Sequence, residues 1–159
     1  MYSGVFISIQ SVDLSMSIAI GSDHAGFELK QQILDFFDVS KITCIDYGCY
    51  SMEQVDYPDL GIKVGQAVAS GACRRGVVVC GTGIGISIAA NKIKNVRAAL
   101  CTLEYHAEMA RRHNNANVLA LGGRTTTIDI AIRIINIFLK TEFEGGRHQQ
   151  RVEKIESII

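Results

Sequence analysis

From Met16 onward, short apolar runs alternate with longer segments of helical period, and this alternation constrains the fold more than any other feature. The runs Ser17–Gly21, Ile42–Asp46, Val77–Cys80, Val96–Cys101 and Val118–Leu121 each read as a short buried strand. Between them, Phe27–Phe37, Asp59–Ala69, Ile84–Lys92, Glu104–His113 and Ile128–Leu139 read as helices. In the first of these, Phe27, Ile33, Leu34 and Phe37 share one side. The sole proline, Pro58, suits the opening of the second helix, after a loop over Tyr47–Tyr57. The polar segment GGRHQQRVEKIESI is expected to close the chain as a further helix. Buried strands separated by helices call for a parallel sheet covered on both faces. The expected fold is an α/β three-layer αβα sandwich with a five-stranded parallel sheet, Rossmann-like, forming one domain over residues 16–159. The fifteen residues before it, MYSGVFISIQSVDLS, lack the basic start and apolar core of a signal peptide and are expected to be an N-terminal extension.

Composition removes several function classes. Sixteen basic and sixteen acidic side chains cancel, so no overall field favours nucleic acid or a membrane surface. No apolar run approaches the roughly 20 residues of a membrane span. The five cysteines, Cys44, Cys49, Cys73, Cys80 and Cys101, form no C-x-x-C pair, and the chain is no small disulfide scaffold; a reducing cytoplasm is the expected location. The four histidines are dispersed, so no metal cluster and no cofactor are expected.

The stretch VVVCGTGIGISIAANK, residues 77–92, carries the chemistry. Three glycines within five residues let main-chain N–H groups converge on negative charge. The familiar phosphate loops fail on spacing. No lysine stands in the register of a P-loop, and Ile86 occupies the third glycine position of the dinucleotide fingerprint. A strand, a cysteine, a glycine turn and a helix start remain, an arrangement that makes an anion hole of backbone amides. Cys80 at its mouth is either a reactive thiolate or a small apolar strand residue.

In such sheets ligands bind beyond the carboxyl ends of the strands. That rule gathers SDHAG after the first strand, CGTGIG after the third and GGR after the fifth. Asp23 and His24 then join Cys80 and Arg124, although Asp23 equally suits a helix N-cap. His113 and Asn114 end the fourth helix, where Asn114 or Asn115 in a left-handed conformation would cap it. Arg147 and Arg151, four apart, share a helix face that can clamp one dianion.

Taken in order, GSDHAGFELK, DYP, CGTGIGISIAANK, ARRHNNANVLALGGR and EGGRHQQRV closely resemble the B-type ribose-5-phosphate isomerases, whose wider family includes allose-6-phosphate and galactose-6-phosphate isomerases. The resemblance runs from Met16 to the C-terminus. It implies metal-independent interconversion of an aldose phosphate and a ketose phosphate through a cis-enediolate. It makes Cys80 the base and Gly81, Thr82, Gly83, Ile84 and Gly85 the loop holding the developing oxyanion, with Thr82 assisting at a hydroxyl. It implies ring opening by His113 with help from Asp23, a phosphate clamp of Arg147 and Arg151 with His24 nearby, and substrate contacts from Asn114, Arg124 and Tyr57. It further implies a homodimer or homotetramer with sites shared between subunits. Ribose 5-phosphate is the expected substrate; the alternatives are a six-carbon sugar phosphate and a phosphosugar-binding regulator without catalysis. Presence of both Cys80 and His113 argues against the regulator.

Overall fold

The computed structural model describes residues 17–158; the extension expected over residues 1–15 lies outside them. Five strands form one parallel sheet: β1 (Ile18–Ser22), β2 (Cys44–Asp46), β3 (Arg75–Cys80), β4 (Ala98–Leu100) and β5 (Val118–Gly122), in the order β2-β1-β3-β5-β4. Six α-helices connect and close it: α1 (Phe27–Val39), α2 (Tyr57–Ala69), α3 (Ile84–Ala90), α4 (Glu104–Asn114), α5 (Ile128–Lys140) and α6 (Arg147–Glu156). The αβα expectation holds, and the strand order, which no pattern in the sequence encodes, is supplied by the structure.

Alternation along the strands builds two cores. Ile18, Ile20, Val77, Val79, Leu119 and Leu121 face α1, α4 and α5, where Ile33, Phe37, Ala107, Ile134, Ile135 and Phe138 bury their side chains. Ala19, Val78, Cys80, Val118 and Ala120 face α2 and α3, meeting Leu60, Val64, Val68, Ile86 and Ala90. Full burial of a large aliphatic or aromatic side chain stabilises by about 1.5–3 kcal/mol, so these two layers carry most of the fold. α6 stands outside this pattern and packs on α4.

Several boundaries differ from expectation. The fourth strand is confined to Ala98–Leu100 rather than Val96–Cys101, and α3 stops at Ala90 rather than Lys92. Both differences come from Asn91, whose side chain donates to the Ala98 carbonyl and accepts from the Ala98 N–H, ending the helix and fastening the strand's start. The second helix starts at Tyr57, one residue before Pro58, with Asp56 as its N-cap.

One buried ion pair shapes the rim of the sheet. The fully buried Lys30 ammonium meets both oxygens of Asp46 at 2.7 and 2.6 Å and the Cys49 carbonyl at 2.6 Å. It ties α1 to the end of β2 and to the loop that leads back toward α2. Removing one partner of such a pair leaves a stranded charge and costs about 3–5 kcal/mol.

Candidate active site

Because β2 and β3 flank β1 on opposite sides, the chain reverses its direction of travel across the sheet between them, and a crevice opens at the strands' carboxyl ends. A cavity of about 450 Å³ occupies it, lined by Asp23, His24, Ala25, Tyr57, Cys80, Gly81, Thr82, Ile84, Gly85 and Arg124. This volume suits a small molecule. The three loops gathered by the sequence reading do meet on this edge.

The cysteine loop is shaped by its glycines. Gly83 adopts φ +77°, a left-handed conformation closed to most residues, and a Cβ there would lie 2.8 Å from the Leu121 main chain. This turn brings the Gly83 N–H to 3.2 Å from Cys80 Sγ, so a main-chain donor faces the sulphur. Gly85 lets Tyr57 approach, since a Cβ there would sit 2.6 Å from the tyrosine ring. The Thr82 hydroxyl accepts from the Ile84 N–H at 3.3 Å and stays at the cavity surface. Cys80 itself is nearly buried, and its strand is locked to the next loop by the Gly123 N–H donating to the Cys80 carbonyl at 2.7 Å.

Asp23 and His24 are held by short local contacts. The Asp23 carboxylate accepts the Gly26 N–H at 2.9 Å, so the capping role foreseen for it is real, and the residue still borders the cavity. The Val55 N–H donates to His24 Nδ1 at 3.4 Å, which puts the proton of the neutral imidazole on Nε2. Arg124 is aligned by its own N–H, which donates to the Gly81 carbonyl at 3.0 Å.

Four candidates lie elsewhere. α4 runs back across the sheet, so its C-terminal His113 and Asn114 reach the opposite edge, beside the start of β5. Asn115, at φ 47° and ψ 40°, provides the left-handed cap, with its N–H donating to the Arg111 carbonyl. Asn114 borders a second cavity of about 390 Å³ together with Arg97, Val96 and Ile155. Arg147 and Arg151 stand on the first turns of α6, which packs on α4 and so belongs to this same edge. One chain therefore carries two half-sets of candidates, on opposite edges of its sheet.

Residues 18–155 match the family model described as Ribose/Galactose Isomerase. The chain belongs to this family. It is 46% identical to ribose-5-phosphate isomerase B of Escherichia coli over 141 residues, spanning 89% of this chain and 95% of the relative. Among solved structures, it resembles ribose-5-phosphate isomerase B of Clostridium thermocellum at 55% identity and TM-score 0.89, covering 90% of this chain and 97% of that one. It resembles the Mycoplasma genitalium ribose-5-phosphate isomerase B with bound ribulose-5-phosphate at 41% identity and TM-score 0.86, covering 91% and 96%.

Against the expectation of dispersed histidines, this family member brings two of them together. His113 and His148 stack with ring centroids 4.1 Å apart and 6° between planes. Glu144 Oε2 lies 3.9 Å from His113 Nε2 and 3.5 Å from His148 Nε2. Its other oxygen takes the Arg112 Nε–H at 2.5 Å. Burial, with His113 and Arg147 nearby, lowers the pKa of His148, while Arg112 lowers that of Glu144. Reading the sequence alone missed Glu144, His148 and Arg112. Thirty-five positions separate the two histidines, and the available signal was the acid in EGGRHQQR, standing beside the arginines already singled out.

Proposed function

We propose that the chain is an aldose–ketose isomerase interconverting D-ribose 5-phosphate and D-ribulose 5-phosphate through a cis-enediolate, with residues 16–159 acting as one domain. One observation carries the reading. The Cys80 sulphur is faced by the Gly83 N–H, and the glycine loop that supplies this donor borders a cavity of small-molecule size. A proton beside a carbonyl is weakly acidic, and its removal demands a base together with stabilisation of the oxyanion that results.

In the open-chain aldose, the Cys80 thiolate takes the proton from C2. The electron pair moves to form the C1–C2 double bond, and negative charge gathers on O1, where the amides of Gly81 to Gly85 donate to it. A proton passes between the two oxygens with the help of the Thr82 hydroxyl. The Cys80 thiol then returns its proton to C1 as the C2 carbonyl forms, and the thiolate is regenerated. Asp23 and His113 handle the protons that open the furanose ring. Arg147, Arg151 and His24 hold the phosphate, and Tyr57, Arg124 and Asn114 hold hydroxyls, so that remote binding energy orients the reacting carbons.

His113, Asn114, Arg147 and Arg151 act in this scheme on sugar bound at a second copy's cysteine loop. Their position across the sheet from Cys80 supports a homodimer, or a homotetramer built from such dimers. So does the apolar side of the cysteine-loop helix, where Ile84 and Ile88 are 52% and 56% exposed. The base and the amides together supply what the enolisation needs, so the reaction is proposed to run without a metal. No helix among the described residues is long and apolar enough to cross a membrane, and five free thiols fit a reducing, cytoplasmic setting.

The test is an assay of the purified protein on ribose 5-phosphate, allose 6-phosphate and galactose 6-phosphate with EDTA present. Rapid ketose formation from the pentose is expected. Preference for a hexose phosphate would keep the chemistry and overturn the substrate, whereas binding without turnover on all three would overturn the isomerase.

A further inference from the structure

We propose that Glu144 is a positioning residue for His113: its carboxylate, fixed at one oxygen by Arg112 and 3.9 Å from the imidazole, favours by its charge a proton on Nε2 and leaves Nδ1 free to exchange a proton with the sugar. This rests on His113 acting in ring opening, as proposed above. Glu144 Oε1 is taken by the Arg112 guanidinium, whose Nη1 also reaches Glu108 Oε1 at 2.8 Å on α4. The Glu144 N–H donates to the Arg112 carbonyl at 3.1 Å, so main chain and side chain both dock on the end of α4. Oε2 is thereby aimed at the histidine pair, 3.9 Å from His113 Nε2 and 3.5 Å from His148 Nε2.

The second imidazole does not compete for the carboxylate's charge. Arg147 Nε–H points at His148 Nε2 from 3.5 Å, and a cation beside this nitrogen disfavours a proton on it. Burial and the neighbouring His113 and Arg147 favour the neutral ring. His148 is then a flat, fixed platform against which His113 lies parallel. The His113 side chain, unlike this platform, is about 37% exposed, so part of the ring is open to a ligand. A metal is the rival occupant, since two histidines and a glutamate gather here. Rings stacked at 4.1 Å and 6° keep their lone pairs in two parallel planes, so both cannot point squarely at one ion. Arg112 and Arg147 also crowd the cluster with positive charge. The geometry favours a proton at Nε2.

The experiment uses ribulose 5-phosphate, a ketose whose phosphorylated terminal oxygen prevents it from closing a furanose ring. In deuterium oxide, proton removal by Cys80 writes deuterium into C1 of the remaining ketose; conversion is measured separately from ribose 5-phosphate, which is supplied as the closed furanose and has to be opened first. Wild type, Glu144→Gln, His113→Ala and Cys80→Ala are compared for both readouts. Glu144→Gln is expected to slow turnover of ribose 5-phosphate about tenfold, a fraction of the 10²–10⁴ that a complete proton-transfer group contributes. Exchange at C1 should persist, so the ratio of exchange to conversion rises as it does in His113→Ala. Arg112→Gln, which frees only the distal oxygen, should raise the ratio in the same direction by less, and it decides the matter should Glu144→Gln fold poorly. Equal loss of exchange and conversion, or an unchanged ratio, overturns the proposal. Exchange surviving in Cys80→Ala would instead overturn the base, whatever Glu144 does.

Discussion

At the residue scale the cysteine loop is built around Cys80, Gly83 and Gly85. Replacing Cys80 with alanine removes the proposed base, a group that would act only in the chemical step. The expected outcome is a kcat lower by about 10²–10⁴ with KM nearly unchanged, measured by steady-state assay on ribose 5-phosphate. Gly83→Val tests the loop rather than the base. It forces a β-branched residue into φ +77° and drives a Cβ to 2.6 Å from Leu100. A thermal melt should register a loss of about 1–3 kcal/mol, and turnover should fall with it. These positions were legible because glycine density and a strand-ending cysteine are local signals. Glu144 and His148 were not, because their partner is His113, which reaches them only through packing of the segment before α6 against the end of α4.

At the element scale, α6 joins function and stability. Its first turn carries Arg147, its second Arg151, and its last residue, Glu156, pairs with Arg97 beside β4. Arg151→Ala is expected to raise KM for the sugar phosphate and lower kcat together, since the proposed phosphate contact would persist through the reaction; inorganic phosphate should inhibit the variant more weakly. His148, buried at the start of this helix, links its docking to pH. Burial, then His113 and Arg147, lower its pKa beneath the ordinary 6.5, against the opposing pull of Glu144. The unfolded chain therefore binds the proton more readily, and stability rises with pH in this range. The contribution is complete above 6.5 and is lost as pH falls below it. Urea midpoints taken at successive pH values should drop on acidification, and less steeply in His148→Gln. The helices and strands themselves were legible from periodicity. The early end of α3 was not, because the bonds that set it join Asn91 to Ala98, a contact across the turn rather than a pattern along the chain.

At the scale of the whole molecule, the sheet divides the candidate residues. Asp23, His24, Tyr57, Thr82, Cys80 and Arg124 surround one cavity, and His113, Asn114, Arg147 and Arg151 stand across the sheet from it. The α/β architecture followed from the alternation of apolar runs and helical segments. The division could not be read from it, because motif order along the chain says nothing of which sheet edge each motif reaches until the strand order is known. The central claim is that the cysteine of one copy acts on sugar held by the arginines of another. Mixing tests it most directly. Cys80→Ala and the double variant Arg147→Ala/Arg151→Ala, each nearly inactive alone, are unfolded together and refolded as a mixture. In a dimer with sites shared across a two-fold interface, half the molecules pair the two variants, and each of these regains one intact site. Activity of about a quarter of wild type is the expected result. A mixture no more active than the two variants measured separately would mean that each chain completes its own site, and would contradict the account.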